Sequence, residues 1–155
     1  MFSDCTSLES VNLSDESLYL SQSMFENCSS LKGIKLPANL KTIYGWAFKN
    51  CTALSKITLP VNVSEIGEAA FENTALQKIN IPYGVTEVQQ YTFYNCSLLR
   101  AIYLPNTINA IGRCAFESCG ALSDIYYQAG EMAWLNVSID GSGNGPLTAA
   151  DLHTN

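Results

Sequence analysis

The sequence predicts a right-handed α/β solenoid of 23-residue units, with short parallel strands on one face and short 3₁₀ or helical turns opposite. Three observations carry this reading. All six phenylalanines fall on one ladder, Phe2, Phe25, Phe48, Phe71, Phe93 and Phe116, stepping by 23 residues with a single step of 22. Leu8, Leu31, Leu54, Leu76, Leu99 and Leu122 keep the same clock, as do Val11, Ile34, Ile57, Ile79, Ile102 and Ile125. Four of the five prolines, Pro37, Pro60, Pro82 and Pro105, continue it. A fixed period of about 20–50 residues marks stacked repeats, none of which can bury its apolar edge alone.

The unit reads A-F-x-x-C-x-x-L-x-x-I-x-L-P-x-x-(L/V)-x-x-I-x-x-x. Phe, Cys and Leu at three-residue spacing suit one short 3₁₀ or α turn. The I-x-L segment alternates in and out, as a strand with one buried face must. Proline then ends the strand, because it has no N–H to give the ladder. Parallel pairing at about 4.8 Å makes six such units roughly 25–30 Å long. The short step is local, since FENTAL (71–76) lacks one residue of FKNCTAL (48–54). Residues 1–127 are read as five to six solenoid units, the first incomplete, and 128–155 as a capping segment. In the cap, Trp134, Leu135, Val137 and Ile139 are expected to cover the last repeat after a turn at Gly141–Pro146. No such segment precedes Phe2, Leu8, Val11 and Leu13. That end implies either a piece of a longer protein or pairing with another copy.

Composition narrows the function classes. The 155 residues are 47% hydrophobic and 14% charged, with a net charge of −6. That balance suits a globular domain rather than a disordered chain. Eight basic against fourteen acidic residues argue against a nucleic-acid binder. No run of about 18 apolar residues is present, so membrane insertion by a helix is not expected. The opening MFSDCTSLES lacks the basic and apolar regions of a secretory signal.

The phrases CTALSKITLPVNVSEIGEAAF (51–71) and CSLLRAIYLPNTINAIGRCAF (96–116) resemble the BspA-type, or Treponema pallidum-type, leucine-rich repeat. The resemblance runs over about residues 2–127, departing where Ser14 replaces the repeat proline. The tail, 125–155, is similar to a C-terminal segment recurring in such proteins of gut Firmicutes. The resemblance implies a bacterial cell-surface or secreted protein, extracellular by location. It also implies an adhesin-like role in binding matrix proteins, host receptors or other bacteria.

Cys5, Cys28, Cys51, Cys96 and Cys119 share one repeat position, with Thr74 near it in the remaining unit. A column of small buried thiols explains this better than disulfides, given the threonine and the odd count. Cys114 stands outside the column, beside Trp46, Ala69 and Tyr91 in repeat position. It is expected to be the exposed thiol, with a structural filler as the competing reading. N-x-S/T occurs at Asn12, Asn27, Asn50, Asn62, Asn95 and Asn136. Three of these merely precede the cysteine column, where a turn requires Asn and its side chain bonds nearby backbone.

No catalytic, cofactor-binding or metal-ligating set is read. The single histidine, His153, is expected to be a solvated tail residue. Glu65, Glu68, Glu72 and Glu87 read as an ordinary solvated edge rather than a paired-carboxylate site. The strand face is more informative. Lys32, Lys35, Lys56, Lys78 and Arg100, five of the eight basic residues, share it with Tyr103 and Tyr126. Segregated charge beside exposed aromatics suits an interface with an acidic extracellular protein or glycan. Tyr103, Tyr126 and Trp134 would be stacking platforms for a glycan. The structural competitor is a stalk that spaces another domain from the cell.

Overall fold

The structure, a computed structural model, describes residues 1–155. In chain order the elements are β1 (Tyr19–Leu20), β2 (Thr42–Ile43), β3 (Glu65–Ile66), β4 (Lys78–Asn80), β5 (Glu87–Val88), β6 (Ala101–Leu104), β7 (Ala110–Ile111) and β8 (Asp124–Tyr127). The tail adds α1 (Glu131–Trp134), β9 (Ser138–Ile139), α2 (Gly145–Ala149) and β10 (Asp151–Thr154). Every strand pair is parallel. The chain forms a parallel β-solenoid of about six turns.

Each turn of the solenoid has three sides. The predicted strand face carries the ladder β4–β6–β8–β10. A second, narrower ladder forms at the later isoleucine of each unit, as β1–β2–β3 and β5–β7–β9. It breaks between β3 and β5, where the single 22-residue step falls. The third side has no helix within the repeats. It is made of isolated turns with three-residue bonds, such as Cys28 N–H to Phe25 O at 3.1 Å and Leu31 N–H to Cys28 O at 3.0 Å. These turns bond to the next repeat, as in Phe48 N–H to Ala70 O at 2.8 Å and Phe93 N–H to Ala115 O at 2.9 Å. One such turn per unit is too short to propagate as a helix.

The core is a stack of columns. Phe25, Phe48, Phe71, Phe93 and Phe116 are fully buried, and successive rings from Phe2 onward lie parallel with centroids 5.4–5.7 Å apart. Phe2, at the open end, is only partly buried. Beside the rings run the thiols. Cys28, Cys51, Cys96 and Cys119 each donate to a phenylalanine carbonyl of the preceding repeat, at 3.0–3.1 Å. Thr74 takes the same column, its hydroxyl donating to Phe71 O at 3.0 Å. All six cysteines are free. Burial pushes Cys51 and Cys119 up to about 12 and Cys96 up to about 11, so their thiolates are unpopulated near neutral pH.

A third column explains the recurring asparagines. Asp4, Asn27, Asn50, Asn73 and Asn95 all adopt positive φ, near +60°, where Asn and Asp are tolerated best. The expected bonds to nearby backbone do not form. Instead each amide reaches the preceding repeat: Asn27 to Asp4 at 2.7 Å, Asn50 to Asn27 at 2.8 Å, Asn73 to Asn50 and Asn95 to Asn73 at 3.0 Å. The turn sets the backbone, and stacking sets the side-chain partner.

The tail behaves as one more irregular turn. Strand β9 extends the second ladder beyond β7, and β10 extends the strand face beyond β8. Leu147 continues the core, 1% exposed. Asn144 replaces a missing repeat backbone: its Oδ1 accepts from Phe116 N–H at 3.1 Å, while its Nδ2 donates to Gly112 O and Asp140 O. Of the four residues expected to cover the last repeat, Val137 is buried and Trp134 packs edge-on to Tyr127 at 5.2 Å. Leu135 is 70% exposed and contributes nothing, because α1 turns it outward.

Cys114 corrects the expectation of an exposed thiol. It is buried beneath the tail, with its N–H bonded to Ser142 O at 2.7 Å. The exposed cysteine is Cys5. A chromogenic disulfide reagent is therefore expected to read one fast thiol in the native protein and six after denaturation. Two or more fast thiols in the native state would contradict the buried column.

Candidate functional site

Strand alternation turns one residue of each pair inward and presents its neighbours to solvent. Ile79, Ile102 and Ile125 point in and are at most 1% exposed. The outward rows are Lys78, Ala101, Asp124 and Asp151, then Asn80, Tyr103, Tyr126 and His153.

The predicted cations gather on this face, but not all are free. Lys32 is paired with Glu9 at 2.9 Å. Lys35, Lys56, Lys78 and Arg100 make no salt bridge. Lys56, Lys78 and Arg100 border one recess together with Ser55 and Gln77. Lys35 and Lys56 border a second, whose walls include Ile34, Ile57 and Pro60.

These cations coincide with an opening of the sheet. No strand pairing forms between 33–36 and 56–59, or between 56–59 and β4; the N-terminal half keeps only the bridge between Asn12 and Lys35. Ile34 and Ile57 are half-buried as a result. The repeat register puts Gly33 opposite Lys56, and Lys56 opposite Lys78. Glycine brings no side chain to a cross-strand pair, and lysine facing lysine is repulsive. The C-terminal half pairs Lys78 with Ala101 and Ala101 with Asp124, and there the ladder is continuous.

The aromatic end departs from expectation in two ways. Tyr103 and Tyr126 are stacked at 4.5 Å and 7°, and Tyr126 stacks in turn on His153 at 4.5 Å and 13°. His153 is thus no loose tail residue: β10 carries it, and its Nε2 lies 2.8 Å from Asp124 Oδ1. The Ser123 hydroxyl, then His153, hold the Asp124 carboxyl below its ordinary range. Both faces of Tyr126 are covered, so it offers no platform to a sugar. Trp134 stands apart, against the inward Tyr127. Asp124 and Asp151 also make the C-terminal end of the face acidic, so the basic character is confined to the repeats around Lys35, Lys56, Lys78 and Arg100.

Of the carboxylates near 65–87, Glu68 and Glu72 border one recess and Glu65 and Glu68 another. Glu72 pairs with Lys49 at 3.1 Å, and Glu65 accepts from Thr42 at 3.4 Å.

A family model of the BspA type leucine rich repeat region matches residues 20–133, in six copies. The chain belongs to the BspA-type leucine-rich repeat family. Among solved structures, it is similar to a leucine-rich repeat protein of Bacteroides ovatus, at 35% identity and TM-score 0.76, over 81% of this chain and 33% of that one. It is also similar to a leucine rich cell surface protein of Faecalibacterium prausnitzii, at 28% identity and TM-score 0.81, over 86% and 36%. The T. pallidum leucine rich repeat protein shares the fold at 24% identity and TM-score 0.76, over 99% and 75%. The chain spans about a third of the length of the first two. Comparison with curated proteins finds no match.

Proposed function

We propose that this BspA-type repeat is a non-catalytic interaction module of a cell-surface or secreted adhesin-like protein, binding an acidic region of an extracellular host or bacterial protein on its strand face. Residues 1–127 are the binding solenoid on this reading, and 128–155 its cap. The observation that carries it is the set of four unpaired cations, Lys35, Lys56, Lys78 and Arg100, on one face of a protein of net charge −6. Like charges held together without partners cost stability and attract an opposite surface. The opened ladder beneath them adds half-buried Ile34 and Ile57, apolar contact within a basic rim. The surface location draws support from the family and from the Faecalibacterium relative named as a cell surface protein.

The test compares wild type with Lys35→Glu/Lys56→Glu/Lys78→Glu against a panel of extracellular matrix proteins. We expect at least a tenfold loss of affinity, about 1.4 kcal/mol, and a wild-type affinity that weakens with salt. The melting temperature should not fall, because these side chains are exposed. Equal binding by both proteins would sink the assignment to this face.

A further inference from the structure

The two recesses among the strand-face cations differ in chemistry. The one bordered by Lys35 and Lys56 has apolar walls, Ile34, Ile57 and Pro60. The other, of about 280 Å³, is bordered by Ser55, Lys56, Gln77, Lys78, Arg100 and Ala101. Half of its lining is cationic, Ser55 and Gln77 are neutral hydrogen-bonding groups, and no carboxylate borders it. A protein interface is built on apolar and aromatic anchors buried at its centre. This recess offers an anchor nothing larger than Ala101 to pack on, so its ligand is one held by charge and hydrogen bonds.

The cations form a row rather than a point. Lys56, Lys78 and Arg100 stand one to a repeat on three successive repeats, exposed and without a salt bridge. Lys56 faces Lys78 where the ladder is unpaired, and Lys78 pairs with Ala101, the neighbour of Arg100. The phenylalanine rings of these repeats step by 5.7 and 5.4 Å, so the row covers two such steps. It stops at the acidic Asp124, one repeat beyond Ala101. Within it, the Ser55 hydroxyl and the Gln77 amide can each donate and accept.

A row of single positive charges matches a polymer that carries closely spaced single negative charges. A phosphate monoester gathers about two charges on one group and would leave part of the row unmet. A polysaccharide with carboxylates alone separates its charges by whole sugars. Sulfate esters add charges on those same sugars, with terminal oxygens that accept from ammonium and guanidinium groups. The sugar hydroxyls between them suit Ser55 and Gln77.

We propose that this recess binds a sulfated polysaccharide, with its sulfate esters on Lys56, Lys78 and Arg100. The inference rests on the strand face being the binding face, and gives it a second class of ligand beside the apolar recess. The strand-face tyrosines, which cover one another, take no part.

The full chain is titrated calorimetrically with a heparin hexasaccharide, and with a hyaluronan hexasaccharide, which carries carboxylates and no sulfate. The heparin hexasaccharide should bind saturably, with a Kd on the order of 10 μM at low salt, and more weakly as salt rises. The hyaluronan hexasaccharide should bind at least tenfold more weakly. Lys78→Gln/Arg100→Gln should lose at least tenfold in heparin affinity, and Lys56→Gln at least threefold. Each should keep its circular dichroism spectrum and melting temperature, because these side chains are exposed. Lys35→Gln, outside the recess, should bind as wild type. Absence of saturable heparin binding overturns the proposal, as does undiminished binding by Lys78→Gln/Arg100→Gln or equal binding of hyaluronan. A matrix protein bound by wild type and lost on Lys35→Glu/Lys56→Glu/Lys78→Glu, with neither hexasaccharide bound, would remove this site and leave the protein-binding face standing.

Discussion

Phe71→Ala is expected to destabilise the protein by about 3–5 kcal/mol, the range for emptying a fully buried aromatic site. The ring stacks between Phe48 at 5.5 Å and Phe93 at 5.7 Å, with no solvent exposure. Collapse cannot refill the space. The backbone on either side is pinned by Phe48 N–H to Ala70 O at 2.8 Å and Phe71 N–H to Thr92 O at 3.0 Å. Against a total stability of about 5–15 kcal/mol, the melting temperature should fall by about 10 °C or more. Each repeat touches only its neighbours, so a hole in the middle also weakens the coupling of the two halves. Urea unfolding should become less cooperative, with a smaller slope or two transitions. Phe2→Ala, at the partly buried end of the same stack, should cost less than half as much. Equal losses from the two substitutions would refute a column whose strength lies in its centre.

The second large effect is expected at the cap. Gly143 has φ +73°, and a Cβ added there would lie 2.7 Å from Cys114 Sγ and Glu117 Oε2 and 2.9 Å from Cys114 Cα. Gly143→Ala therefore combines backbone strain with a clash against buried atoms, and should cost about 2–3 kcal/mol. The clash lifts the segment that covers Cys114, so native thiol reactivity should rise from one fast group to two. Gly141→Ala serves as the control, because a Cβ added there would meet nothing within 4 Å; it should change stability by less than about 0.5 kcal/mol. A loss of stability without a second reactive thiol would mean that the tail does not shield Cys114.

The family and the repeat were legible because each unit repeats the same local constraints. Alternation turned Ile79, Ile102 and Ile125 inward, and prolines ended the strands. The cation set was legible for the same reason, since Lys35, Lys56 and Lys78 occupy outward positions beside Ile34, Ile57 and Ile79.

What the sequence determined by itself is the register of the solenoid: the period, the inward columns of phenylalanine, cysteine and leucine, and the face on which the lysines lie. Those follow from side-chain direction along a chain of fixed geometry. The tertiary structure decided which residues meet. Asn50 bonds to Asn27 rather than to its own turn, and His153 reaches Asp124 across 29 residues. Asn144 takes the acceptor role that Ala70 O and Ala115 O play for Phe48 and Phe93, and the strand-face ladder is unpaired where Lys56 faces Lys78. Each of these depends on stacking one turn against the next, where the partner lies about 5 Å away in space and 22 or more residues away along the chain. No local pattern encodes that distance.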